Sequence, residues 1–162
     1  MKTRNYWIET LELKAHPEGG FYKETYRSNE VVLNRNGDKR PASTGIYFLI
    51  TQEVFSAFHK IESDEMWHYH AGAALEVVMI NDQGEIEVLK VGPDIENGEQ
   101  LQAVVPAGFW FGSRVVEGGD YSLVGCTVAP GFDFEDFVLA KRIDLQNKFP
   151  QHKNIIEALT RE

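Results

Sequence analysis

Hydrophobic and polar positions alternate with a period of two through the middle of this chain and take a helical period only near its two ends. Asn5 followed by YWIETLELK predicts a capped amphipathic helix, with Ile8 and Leu11 turned to the core and Glu9 and Glu12 to solvent. The run Ala15-His16-Pro17-Glu18-Gly19-Gly20 ends it, because proline cannot continue a helix and paired glycines accept left-handed backbone. Residues 21–27 (FYKETYR) alternate as a strand, and the polar stretch 28–42, with Asn36-Gly37-Asp38 at its centre, predicts a surface loop or hairpin turn. From Ser43 onward short strands follow one another at 44–50, 55–61, 67–70, 75–80, 86–91, 101–105, 109–113, 121–128 and 132–139, with Gly, Pro, Asn and Asp between them. That succession predicts an all-β sandwich or barrel and not a βαβ design. The tail returns to helix: Pro150 can start one, and Ile155, Ile156 and Leu159 form an apolar stripe. With no repeat, low-complexity tract or linker, residues 1–162 are expected to form a single domain.

Charge and composition narrow the partners. A net charge of -9 opposes a general nucleic-acid surface, since phosphate binding wants a positive field. The opening MKTRNYWIETLEL lacks the apolar core of a signal peptide and no apolar run approaches bilayer length, so no membrane partner and a cytoplasmic setting are expected. The single cysteine, Cys126, lies in the apolar run LVGCTVA and is expected to be a buried small hydrophobe.

The candidate chemistry gathers in residues 64–76, DEMWHYHAGAALE. His68 and His70 stand one residue apart between Glu65 and Glu76, and on a strand their imidazoles share one face. Imidazoles of ordinary pKa change charge near neutrality, so His68, His70 and His59 are candidate acid–base groups, with Glu65 or Glu76 as a carboxylate partner. Tyr121, Tyr22 or Tyr26 could supply the opposing acid. Trp67 and Phe111 are expected to fill core, and also to offer a wall to a ligand if the interior holds one. His16 and His152 are expected in turns or at the surface. Glu18-Gly19-Gly20 should shape a turn from which Glu18 can reach a pocket mouth, and the acidic run 133–136 should be a solvated strand edge.

The motifs resemble those of the cupin superfamily. His68-x-His70, then Glu76 and Gly84, is similar to the first cupin motif, and Pro106-Ala107-Gly108 to part of the second. The segments HPEGGFYKETYRS, STGIYFLI, SDEMWHYHAG, VPAGFWFG and CTVAPGFDFEDF resemble a cupin branch catalogued as a domain of unknown function. The resemblance implies a double-stranded β-helix (cupin jelly roll) with short N-terminal and C-terminal helices. It also implies a metal site of three imidazoles and a carboxylate, but Phe111 stands where the third histidine is due and Val115 where an asparagine is due. No metal cofactor is therefore expected; a divalent metal, if bound, would use His68, His70 and Glu76, with His59 as a further nitrogen donor. The resemblance to the dTDP-sugar epimerases of this fold implies a metal-independent epimerase or isomerase working by histidine–carboxylate chemistry on a sugar or nucleotide-sugar-like ligand. The assigned roles are then catalytic for His68, His70, Glu65, His59 and Tyr121, and ligand-binding for Glu76, Phe111, Trp67 and Tyr22. A non-catalytic ligand-binding or sensing cupin and a metal-dependent oxygenase or isomerase are the alternatives. The expected partners are a small-molecule ligand and a second copy in a homodimer, whose contact would cover exposed sheet edges.

Overall fold

The computed structural model describes residues 2–162. In chain order it contains α1 (Arg4–Thr10), β1 (Lys14–Ala15), β2 (Phe21–Arg27), β3 (Val31–Leu33), β4 (Lys39–Pro41), β5 (Thr44–Thr51) and β6 (Ser56–Lys60). There follow β7 (Asp64–Gly72), β8 (Leu75–Ile80), β9 (Ile86–Val91), β10 (Gln102–Val105), β11 (Trp110–Val115), β12 (Tyr121–Ala129) and β13 (Val138–Leu139). The chain closes with α2 (Arg142–Lys148) and α3 (Lys153–Ala158). A six-stranded sheet runs β1-β2-β5-β12-β7-β10, a five-stranded sheet runs β13-β6-β11-β8-β9, and β3-β4 form a separate hairpin. The chain switches sheets as it goes, so sequence neighbours β7 and β8 lie in different layers. This is the jelly-roll arrangement of a double-stranded β-helix.

Strict alternation decides what lies between the layers. Phe48 and Ile50 of β5, Trp67 of β7 and Val124 of β12 meet Val77 and Met79 of β8 and Phe111 of β11 in one core. The intervening residues face outward and are covered by helices at each end. Leu49 and Leu123 pack under Trp7, Ile8 and Leu11 of the first helix segment, while Phe58, Val78 and Ile80 pack under Leu145, Phe149, Ile156 and Leu159. Phe109 and Phe111 point to the inner core and Trp110 to the outer one, as alternation requires.

The structure refines the local expectations. The first helix is capped by Thr3, whose Oγ1 accepts from the Tyr6 N–H at 3.2 Å, so the cap is not Asn5. Of the two forms expected for the polar stretch 28–42, it takes the hairpin, β3–β4, with Asn34 Oδ1 accepting from the Asn36 and Asp38 amides. Residues 132–139 are not one strand. The Asp133 carboxylate accepts from the Glu135 N–H at 2.9 Å and winds Phe134–Asp136 into a single tight turn, leaving only Val138–Leu139 extended. Nor is the acidic run solvated throughout, because Asp136 receives two 2.8 Å hydrogen bonds from the buried guanidinium of Arg40. That pair ties the β3–β4 hairpin to the loop after β12.

The inner core should carry the stability. Phe111 is 1% exposed whereas Val88, on the outer face of β9, is 48% exposed. Urea denaturation should show Phe111→Ala losing about 3–5 kcal/mol and Val88→Ala losing no more than about 0.5 kcal/mol.

Candidate functional site

Between the sheets, at the end near β2 and the loop after β12, lies a cavity of about 400 Å³. Its floor is polar and its mouth aromatic. Glu18, His59 and Glu65 reach in from three different parts of the chain, and His16 stands beside them. All three floor residues are buried: 6% exposed for Glu18, 3% for His59 and 9% for Glu65.

Each is placed by a local backbone device. Glu18 precedes Gly19 and Gly20, whose φ values of 110° and 83° turn the chain sharply into β2. A Cβ on Gly19 would run into the Phe55 carbonyl, so this close approach needs glycine. The Glu18 carbonyl is held by the Ala57 N–H at 2.8 Å and by Arg161 Nη1 at 2.7 Å, which fixes the turn from outside the cavity. His59 lies on β6 beside a bulge, where pairing with β11 slips between Phe111↔His59 and Ser113↔Ser56. The Ala57 carbonyl there accepts from His59 Nδ1 at 2.7 Å. A carbonyl cannot donate, so Nδ1 carries the hydrogen and Nε2 is the nitrogen that titrates. Nε2 lies 2.8 Å from Glu18 Oε2, so the two groups share one mobile proton.

The electrostatics follow from burial and this pairing. Burial alone would push the Glu18 carboxyl up, but attraction and hydrogen bonding from His59 outweigh it and hold Glu18 below the usual carboxylate range. Burial would likewise lower His59, yet Glu18 raises it above an ordinary imidazole. Both directions favour the carboxylate–imidazolium form of the pair. Glu65 has no such partner: burial first, and then the Glu18 charge, push it up to about 8. It is an uncharged carboxylic acid at pH 7. Two carboxyls on one floor have been driven in opposite directions. His16 is neutral for a geometric reason as well as an electrostatic one, since its Nδ1 accepts from the Glu18 N–H at 3.1 Å and burial lowers its pKa. The Ser56 hydroxyl lies beside Glu18 and helps hold it down, although no hydrogen bond of good geometry joins them.

Of the residues assigned from sequence, the structure brings His59, Glu65 and Tyr22 together in this cavity. His68 and His70 do share a face, but it is the outer face of the six-stranded sheet. Inward positions on β7 belong to Glu65, Trp67 and Tyr69, whose side chains meet the cavity or the core. His68 Nε2 is 2.8 Å from Thr127 Oγ1, and its Nδ1 accepts from the Gln102 amide at 3.0 Å, so the imidazole is spent in a surface network. His70 occupies a bulge, where pairing with β12 skips from Tyr69 to Ala71, and stacks edge-on to Tyr47 above Gly125. Glu76 belongs to the other sheet and pairs with Arg114 at 2.9 Å. Tyr121 accepts from the Trp7 indole and donates to the Lys2 carbonyl under the N-terminal helix. Trp67 and Phe111 are core residues in edge-to-face contact, 6.4 Å between ring centres. Phe111 nevertheless shapes the site by packing against His59, with 4.1 Å between ring centres.

A cupin metal is not matched by these donors. His68, His70 and Glu76 are split between two faces and two sheets. Among the described residues no three His, Cys, Asp or Glu side chains stand in metal-holding geometry, those on the cavity floor included. The residues that sequence reasoning passed over are His16, expected at the surface but with a side chain only 7% exposed, and Arg27, Glu24 and Asp133 at the mouth. Glu18, placed at a pocket mouth from sequence, lies at the floor instead. The available signal was Trp67 and Tyr69: two bulky aromatics on alternate positions mark the buried face of β7, and Glu65 is in phase with them while the histidines are not.

Two facing sheets, helices on the outer faces and a polar-floored cavity between the layers define a jelly-roll protein built around an interior small-molecule-sized pocket. The chain belongs to the cupin superfamily family described as DUF985, whose model matches residues 5–140. It is similar to the uncharacterized protein YML079W of Saccharomyces cerevisiae, 34% identical over 151 residues, covering 85% of this chain and 75% of that one. Among solved structures, a hypothetical protein from Leishmania major matches with a TM-score of 0.97 and 40% identity, covering 99% of this chain and all of that one. Protein SO0799 from Shewanella oneidensis matches with a TM-score of 0.91 and 41% identity over 99% of both chains. No helix among the described residues is long and apolar enough to cross a membrane.

Because Glu65 ionises near 4.5 when exposed and near 8 in the folded chain, the unfolded state releases this proton first, and the group weakens stability as pH rises between those values. Denaturant titrations from pH 5 to pH 8 should show Glu65→Gln removing a decline of up to about 1.4 kcal/mol per pH unit. A steeper decline in the variant than in the parent would contradict the raised pKa.

Proposed function

We propose that this protein binds a small sugar-like molecule in the inter-sheet cavity and moves a proton on it without a metal, as an epimerase or isomerase does. The reading rests on one observation: two carboxyls share a single buried floor, Glu18 within 2.8 Å of the His59 imidazole and Glu65 without a counter-ion, an arrangement that drives their acidities apart and lets a fold supply an acid and a base at the same pH. Glu65 would donate its proton. The Glu18–His59 pair would accept one at Glu18 Oε1, the oxygen not bonded to His59, with the imidazolium steadying the charge. Tyr22 and the phenyl rings of Phe132 and Phe134 form an apolar surface against which a ring can stack. The cavity volume is at the lower end of the roughly 300–1,000 Å³ common for ligand sites, which suits one ring better than several. We further propose that two copies associate through their sheets, in which case the sedimentation mass at micromolar concentration should be twice 18.4 kDa.

Incubation of candidate sugars in deuterated water should give exchange of one carbon-bound proton, followed by mass spectrometry or proton NMR. His59→Gln and Glu65→Gln should each slow exchange about 10²-fold or more while the fold persists. A ligand bound in the cavity with no exchange would support a second reading, a binding or sensing protein. The dense burial of an intact ion pair, costly for a mere binding surface, favours chemistry.

A further inference from the structure

The charges around the cavity are one-sided. Among the described residues Arg27 is the one permanently cationic side chain lining it. Its Nε and Nη2 donate to the two oxygens of Glu24, both at 2.9 Å, and Nη2 also donates to the Phe132 carbonyl at 3.2 Å. Only Nη1 is left without a partner among the described residues, and the Glu24 charge already answers the guanidinium. Asp133 adds a second carboxylate to the same rim. On the floor the Glu18–His59 pair is neutral overall, Glu65 is uncharged and His16 is uncharged. Two other cations on these elements are bonded to other carboxylates, Arg40 to Asp136 and Glu135 although it also feels Asp133, and Lys23 to Glu12. The sum at the mouth is negative, on a chain of net charge -9.

A phosphate or pyrophosphate needs the reverse: several N–H donors, a bidentate arginine free to bind, or a helix N-terminus. The two C-terminal helices pack on the far face of the five-stranded sheet and offer none. A ring bearing hydroxyls, by contrast, finds carboxyl and imidazole partners on the floor and aromatic faces at the mouth. An amine would also be favoured by two carboxylates beside Tyr22 and Phe134.

We infer that the cavity selects an uncharged or cationic small ring, such as an unphosphorylated sugar or amino sugar, and rejects phosphorylated, carboxylated and nucleotide-linked molecules. This rests on the reading of the cavity as the ligand site and narrows its substrate to molecules without an anionic handle. Glu24 and Asp133 act as the specificity determinants and Arg27 as the group they neutralise.

The protein carries its own reporter. Cys126, its single cysteine, lines this cavity, so the charge selectivity of entry can be read as a ratio of thiol-modification rates. The minor thiolate fraction of this buried thiol attacks a methanethiosulfonate, forming a disulfide and releasing methanesulfinate, and mass spectrometry counts the slowly accumulating product. Three reagents of similar size are compared at pH 7, one neutral, one carrying trimethylammonium and one carrying sulfonate, each normalised to its rate with free cysteine. The sulfonate should react roughly threefold or more slowly than the other two, as expected for one net opposing charge at a partly screened mouth. Glu24→Gln with Asp133→Asn leaves Arg27 unopposed and should abolish or reverse that difference, and Arg27→Gln should widen it. Ile46→Cys in a Cys126→Ser background, placing the thiol at the less buried cavity position directly opposite on β5, should give the same order. Sulfonate modification as fast as that by trimethylammonium, or indifference to the rim substitutions, would overturn the inference. The readout needs no turnover. Failed proton exchange with an intact charge ratio would count against the proposed reaction alone, and exchange with a lost ratio would count against the charge selection alone.

Discussion

The buried contact between Glu18 and His59 is the constraint to which the site answers. Taking a carboxylate and an imidazolium out of water costs several kcal/mol per ion, and their attraction offsets this only with good geometry and satisfied remaining donors. The fold meets that requirement with parts far apart in sequence. A bulge in β6 presents the Ala57 carbonyl to one side of the imidazole, and a diglycine turn delivers the carboxylate to the other. Phe111 closes the ring face. Without any one of them the pair would be a liability rather than a site.

The pair then sets the state of its neighbours. Glu65 stays protonated partly because Glu18 does not, and the Cys126 thiol is pushed up by burial and by both carboxyls. The surroundings of the cavity therefore form one coupled system in which a change at a single carboxyl is felt by the rest. The rim is built differently, from half-exposed ion pairs that water screens, so it filters what arrives and leaves the protonation of the floor alone.

The strands and their alternation were legible in the sequence because a period of two survives any tertiary arrangement that buries one face. The β8–β9 hairpin, with its Asn81–Gly84 turn, falls at the residues the pattern predicts. The cavity was only partly legible. His68-x-His70 is a conspicuous motif, yet conspicuousness says nothing about which side of the sheet it faces; Trp67 and Tyr69 do. Glu18 looked like a turn residue because its neighbours are glycines, and the turn's purpose, to insert that carboxylate beneath β6, depends on pairings with Ala57 and Arg161 that no local pattern announces. The segment after β12 alternates in sequence but is bent by the Asp133 cap and the Arg40–Asp136 pair, a contact spanning 96 residues.

The Glu18 carbonyl is gripped by Arg161, 143 residues later, and its carboxylate by His59 on a strand between them. Such a centre has almost no local precursor. Loop-closure entropy must be met across nearly the whole chain before the first of these contacts is repaid. During folding the cavity's chemistry should therefore be among the last properties acquired, after both sheets have paired and the C-terminal segment has docked. Partly folded chains would carry the same residues with ordinary, unshifted acidities, so the acid–base poise of Glu65 is itself a signature of the finished molecule.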